Sequence, residues 1–550
     1  MAFDLTPSAS ASVGFTGQPQ ASFDWQGPLA SLVYTEEDLH RTLLTLDQPV
    51  YAVRRGSQIG LSNLGAAALS AGGKESLGLL ASVPPLPIDQ LGDPAFRAAY
   101  GVRYAYYTGA MANAISSEAL VIALGKAGIL ASFGAAGLSP ARIEAAIERV
   151  QAALPDAPYA FNLIFSPNEP ALEARTVELY LKHGIRIVEA SAYLSVTPNL
   201  VLYRAAGLSL APDGSLQIRN RIIVKLSRLE VARRFLSPAP ADMLNTLIKE
   251  GKISEEQARL AQQVPVVDDV TVEADSAGHT DNRPLVCMVP AFLALRDEFQ
   301  AKYHFAQPVR IGAAGGIGTP AAALAAFMLG AAYVVTGSVN QACVESGASE
   351  FTRALLAKTE MADVGMAPAA DMFEMGVRVQ VLKRGTMFAM RAQKLYDLYS
   401  RYESLEDIPA QERERLESQV FKKEFSTIWN ETVGFFTERD PAQIERANAN
   451  PKDKMALVFR WYLGLSSRWS NSGEKGREMD YQIWCGPAMG AFNQWTRGTY
   501  LADPTNRRVV DVALQLLTGC ACLYRLQMLK LQGVRFLTHL ERYLPAQPLA

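Results

Sequence analysis

Five cysteines and five histidines are scattered through 550 residues, and neither type clusters. No C-x-x-C pair occurs, and Cys520 and Cys522, two apart, lie on an apolar stretch. This excludes a disulfide framework and offers no metal-ligand spacing, so no metal is expected and a reducing, cytoplasmic setting is. Charge of one sign is missing too. With 53 basic against 55 acidic side chains, the formal net charge of −2 supplies no field for holding nucleic acid. No apolar run reaches the ~18–20 residues of a membrane span. Ala321–Val335 comes nearest, and Gly330 interrupts it. No basic stretch followed by an apolar one opens the chain, so no secretory leader is expected.

What is abundant is apolar: 49% of residues are hydrophobic and 20% charged, enough for a large core. Residues 1–22, rich in Ser, Ala, Gln and Gly, read as a disordered tail. Residues 23–90 read as a small leading domain and linker, ending in Val83-Pro84-Pro85-Leu86-Pro87. Over 91–354, eight β-favouring runs alternate with helical segments. The runs are Tyr104–Thr108, Ile129–Phe133, Tyr159–Leu163, Arg186–Glu189, Ile222–Lys225, Val270–Glu273, Val309–Ile311 and Tyr333–Thr336. Alternation implies a parallel sheet, and eight strands close a (β/α) barrel. Predicted helices include Pro140–Ala153 and Pro320–Leu329, each opening with Pro after Ser or Thr, and Pro290–Lys302. A charged helical insertion at 239–265 is expected outside the barrel or as a lid. From 355 to 550 the pattern is helical only, with amphipathic stretches at Arg391–Tyr402, Gln411–Val433 and Val509–Leu531. Five of the six tryptophans fall there, as does a polar, Gly-containing stretch, Ser466–Arg477. The fold class is thus α/β: a (β/α)8 barrel with a small N-terminal domain, a helical insertion and an all-helical cap over the barrel mouth, most of those tryptophans packing the cap's core.

In such barrels reactive groups sit on loops at the C-terminal ends of strands, and a phosphate site often forms after strands seven and eight. The seventh run leads into Gly315-Gly316-Ile317-Gly318-Thr319-Pro320, and the eighth into Gly337-Ser338-Val339-Asn340-Gln341. Glycine lets backbone approach a phosphate closely, and N–H groups at a helix start point at the anion. Tight turns without a ligand are the plainer alternative. Gly316-x-Gly318-x-x-Ala321 also fits a dinucleotide fingerprint, but that motif needs an acidic residue at the next strand end, and Thr336-Gly337-Ser338 stands there. A mononucleotide phosphate suits the loops better. Lys225 ends the fifth run inside Ile222-Ile223-Val224-Lys225-Leu226, where it needs an anionic partner or a path to solvent. After the sixth run, Glu273-Ala274-Asp275-Ser276-Ala277-Gly278-His279 holds a histidine above the mouth, able to donate a hydrogen bond or proton. A packing role is the alternative.

These motifs, with Met111-Ala112-Asn113, resemble the FMN-binding barrel of the nitronate monooxygenase superfamily. The segments Trp461–Trp469 and Asp480–Gly490 narrow the likeness to the PfaD-type trans-acting enoyl reductases of polyunsaturated fatty acid and trans-acyltransferase polyketide synthases. The resemblance covers almost the whole chain after residue 23. It implies FMN-dependent reduction, with NADPH, of the α,β double bond of an enoyl thioester on a separate acyl carrier protein. It further implies that His279 orients the thioester or delivers a proton, and that Lys225 holds the flavin pyrimidine edge. Gly315, Gly316, Gly318, Gly337, Ser338 and Gln341 would hold the phosphate end. Ala110, Met111, Asn113, Asn162, Ser276 and Gly278 would line the rest of the cofactor site. Arg378, Lys383, Arg384, Arg391 and Lys394 form a stretch with no acid between Glu374 and Asp397, a candidate for carrier docking or else an ordinary solvated face. Two alternatives remain: a nitronate-oxidising flavoenzyme on the same barrel, and a non-catalytic scaffold of a synthase. Self-association is left open, and no nucleic-acid or membrane partner is expected.

Overall fold

The eight apolar runs fold as eight parallel strands: β1 Tyr106–Thr108, β2 Leu130–Phe133, β3 Ala160–Ile164, β4 Ile187–Ser191, β5 Arg221–Leu226, β6 Asp269–Glu273, β7 Arg310–Ala314 and β8 Val334–Thr336. They close in sequence order, with Thr336 of β8 opposite Thr108 of β1. This computed structural model describes residues 13–15, 23–69, 77–165 and 170–550. Every residue of β2, β4, β6 and β7 is buried, because helices cover the outside and side chains fill the inside. Strands buried on both faces need no polar alternation, which is why they read as short apolar runs.

Tyr107, Leu130, Ile223, Tyr333 and Val335 fill the interior, and helix Pro94–Tyr100 plugs its N-terminal end, Phe96 stacking on Tyr333 at 4.2 Å. The linker therefore ends in the barrel's stopper. Ser139, Thr197 and Thr319 each cap a helix whose first residue is Pro by accepting from a backbone N–H. The insertion forms helices Ala241–Lys249 and Glu255–Ala261, packed outside the barrel against helix Pro198–Ala206.

Several expectations are corrected. Val13–Phe15, inside the stretch read as a disordered tail, pairs antiparallel with Val534–Phe536; the rest of 1–22 lies outside the described residues. The helix expected from Pro290 begins at Leu285, and Pro290 sits in its second turn, where a single backbone bond is forgone. The cap region is not purely helical. Val364–Pro368 and Arg378–Leu382 form an antiparallel pair, extended by a bridge from Val381 to Trp484. The first part of the polar stretch, Ser466–Ser472, is the end of helix Pro451–Ser472, whose Ser466, Ser467 and Ser470 are buried; small hydroxyls let it lie close to the barrel.

The C-terminal region also divides. Residues from Ala367 to Leu463 build a separate core above the mouth. Helix Val509–Leu531, by length and mean hydropathy (1.5) sufficient for a membrane span, instead packs along barrel helix Pro320–Met328 and the N-terminal five-stranded sheet. Its Arg525 donates to the carbonyl oxygens of Leu43, Thr45, Leu46 and Gln48.

Candidate functional site

A cavity of about 360 Å³ lies over the C-terminal strand ends. The barrel side supplies the loop after β1, Asn162 of β3, Lys225 of β5, Glu273 and the loop to His279, and the glycine turns after β7 and β8. The cap side supplies Asp371, Ser467, Gln482 and Trp484 among others.

At the floor, Lys225 Nζ lies 3.2 Å from Glu189 and 3.5 Å from Glu273. Burial alone would lower the lysine's pKa, but the two carboxylates outweigh it and raise it. Glu189, fully buried, also accepts from Tyr107 Oη and from Ala110 N at 3.0 Å. The anionic partner that Lys225 requires is therefore supplied first by the protein. Glu189 was missed in the sequence, although a carboxylate inside Ile187-Val188-Glu189-Ala190 is as conspicuous as a lysine among isoleucines.

His279 Nε2 lies 3.1 Å from Asp371, on the cap loop after Val364–Pro368. The two side chains remain 25% and 42% exposed, bordering the cavity. Burial pulls the imidazole pKa down, Asp371 and then Glu273 push it up, and the net shift is upward. This favours a histidine that carries its proton. Nothing in the sequence ties Asp371 to His279, 92 residues away. Gly278 has a steric reason: a Cβ there would meet Glu273 Oε1 at 2.1 Å.

The glycine turns divide by role. Gly316 and Gly337 line the cavity, and a Cβ on either would meet nothing within 4 Å, so both present bare backbone to open space. Gly315 (φ +93°) packs where a Cβ would strike the Ala274 carbonyl carbon at 2.8 Å. Gly318 packs under the cap, where a Cβ would meet Ala488 O at 2.2 Å. Ser338 and Gln341 line the cavity, Ser338 Oγ accepting from Gly486 N at 3.0 Å.

Ala110, Met111 and Ser276 also line the cavity. Asn113, with φ 56°, reaches the cap, donating to Ser467 Oγ at 2.9 Å while its own carbonyl accepts from Asn471. Asn162 donates to Glu189 O and Ser191 Oγ. In the basic stretch, Arg378, Lys383, Arg384 and Lys394 are exposed and Arg391 is half-buried. Arg391 forms an ion pair with fully buried Asp480, Lys394 pairs with Glu412 at 3.0 Å, and Arg384 with Asp363 at 3.4 Å. Arg378 donates to Met366 O, and the Lys383 stem packs on Gly365. Sequence adjacency hid these partners. Of the five C-terminal tryptophans, Trp484 borders the cavity while Trp429, Trp461, Trp469 and Trp495 pack against hydrophobic cores. Among the described residues no group of His, Cys, Asp and Glu could hold a metal ion.

Comparison with known proteins places two segments in family models. Residues 25–85 match the fatty acid synthase subunit PfaD N-terminal domain, and residues 402–481 match the inserted helical domain of [acyl-carrier-protein] S-malonyltransferase. The chain is 48% identical over 520 residues to a polyunsaturated fatty acid synthase subunit of Thraustochytrium sp., covering 93% of this chain and 34% of that protein. It is 44% identical to polyketide biosynthesis protein PksE of Bacillus subtilis, over 80% of this chain and 57% of that one. The chain thus spans only part of each curated relative. The crystal structure of the enoyl reductase domain of MlnA, from the macrolactin cluster of Bacillus amyloliquefaciens, superposes with a TM-score of 0.76 at 40% identity, covering 80% of this chain and all of that one.

Proposed function

Because the chain belongs to the PfaD-type enoyl reductase family, we propose that it reduces the α,β double bond of enoyl thioesters carried on a separate acyl carrier protein, in polyketide or polyunsaturated fatty acid synthesis, with FMN as cofactor and NADPH as reductant. The observation that carries this reading is the convergence of Lys225, His279 and the bare glycine backbone of two adjacent strand ends on one cavity.

The donor set suits FMN. Open space beside Gly316 and Gly337 leaves room for a phosphate against backbone, with the Ser338 hydroxyl next to it. The Lys225 ammonium, held protonated by two carboxylates, suits the electron-rich pyrimidine edge of the ring. Bound FMN supplies hydride chemistry; the chain supplies position and charge. His279, its pKa raised by Asp371, donates a hydrogen bond to the thioester carbonyl or a proton to the α-carbon, stabilising enolate charge as it develops. The cap lies over the mouth and brings Asp371 to it. Five cysteines that are all free thiols suit a cytoplasmic setting.

The test is a steady-state assay on FMN-loaded protein. NADPH oxidation that depends on a crotonyl-carrier thioester, with a product two mass units heavier, is the expected result. Oxygen consumption with a nitronate, and none with the enoyl thioester, would overturn it.

A further inference from the structure

At the cavity rim the cap contributes two arginines that the reaction above does not use. Arg439 ends helix Phe425–Arg439, and Arg468 lies on helix Pro451–Ser472. Their guanidinium carbons lie 5.3 and 6.0 Å from the centroid of one ring, Phe435, which is 44% exposed. Arg468 donates to the carbonyl oxygen of Gly137 at 3.2 Å, its one polar partner among the described residues. A guanidinium has five N–H donors in a planar fork, so most of this one's capacity is unspent. The carboxylates lining the cavity do not answer it: Glu273 engages Lys225, and Asp371 engages His279. Burial and then the positive charge of Arg439 lower the Arg468 pKa, as expected for like charges held close together.

A guanidinium with donors to spare, beside a second guanidinium at the entrance to the same cavity, forms a receptor for a tetrahedral phosphate anion. We propose that Arg468, with Arg439 beside it, binds a phosphate group of a ligand whose other end enters the cavity. The inference rests on the enoyl reductase reading for its two candidate sources. One is the phosphodiester that joins a pantetheine arm to its carrier; the other is the 2′-phosphate of NADPH. In either case a rim contact anchors the far end of a long ligand while its other end lies inside the cavity. The cap, and not the barrel, then selects for phosphorylated substrates.

The experiment uses the FMN-loaded full chain and the variants Arg468→Ala, Arg468→Lys and Arg439→Ala. Initial rates are measured with crotonyl-pantetheine and crotonyl-4′-phosphopantetheine, and with NADPH and NADH. Loss of a charge-assisted contact shifts the ratio of the two thioester KM values about tenfold in Arg468→Ala, through the phosphorylated substrate, with partial rescue in Arg468→Lys. If the carrier arm is not the source, the same shift appears in the NADPH-to-NADH ratio instead. Calorimetric titration of 4′-phosphopantetheine, pantetheine, NADPH and NADH separates this inference from the reading beneath it. Wild-type protein that binds a phosphorylated ligand in an Arg468-dependent way yet reduces no enoyl thioester overturns the assigned reaction and keeps the anion site. Ratios and binding that do not respond to Arg468→Ala, in protein that stays folded and yellow, overturn the anion site.

Discussion

Strand β6 has buried carboxylates at both ends, and the two ends are built differently. At its start, Arg310 clamps Asp269 with two bonds of 2.7 and 2.6 Å, Tyr100 Oη adds another, and Arg204 and Arg221 hold the adjoining Asp268. At its end, Glu273 shares Lys225 with Glu189 beside the cavity. A guanidinium fork occupies both oxygens of a carboxylate and holds them rigidly, whereas an ammonium is a point charge with donors that can turn toward a ligand. One barrel thus uses arginine where charge must lock the sheet and lysine where it must stay available.

The sharpest break in that comparison is on the reactive side. His279→Ala is expected to retain bound flavin while turnover of a crotonyl-carrier thioester falls about 10²–10⁴-fold; visible absorbance and initial rates on one sample check both halves. On the locked side, Arg310→Ala leaves Asp269 buried without its counter-charge and costs about 3–5 kcal/mol. The readout is a lower thermal unfolding temperature and reduced soluble yield, not a selective loss of catalysis.

A smaller effect separates glycines that face a ligand from glycines that admit the cap. Gly318→Ala drives a Cβ into the Ala488 carbonyl and costs about 1–3 kcal/mol through displacement of helix Ala488–Trp495. Gly337→Ala meets nothing in the protein, so its cost appears as weaker FMN binding with thermal stability of the apoprotein retained. The smallest effect is Asp371→Asn. Asp371 raises the His279 pKa, so activity that needs the protonated ring is lost as pH rises through that value. Removing the carboxylate moves the alkaline limb of the rate profile to lower pH and keeps the acidic plateau, which a pH–rate series checks.

The barrel was legible because each strand, sandwiched between helices and interior, is a short apolar run, and most are followed by a loop rich in Gly, Ser or Asn. The turns at Gly315-Gly316 and Gly337-Ser338 stood out for the same reason. What stayed hidden depends on contacts distant in sequence. Asp371 finds His279 only when the cap folds over the mouth, and Arg391 finds Asp480 across the cap core. Val364–Pro368 carries a glycine and a proline and has poor strand character alone; its ladder with Arg378–Leu382 overrides that preference. Glu189 was readable in principle, since an ionisable group in a run of Ile and Val demands a partner wherever it occurs.

The pairing of Val13–Phe15 with Val534–Phe536, and the grip of Arg525 on carbonyls as far as 482 residues earlier, set a clock for synthesis. At ~5–20 residues per second a ribosome takes roughly 25–100 s to travel that separation. The leading sheet therefore waits, with one face uncovered, until the last long helix emerges to close it, and nascent chains are most prone to aggregate during that interval.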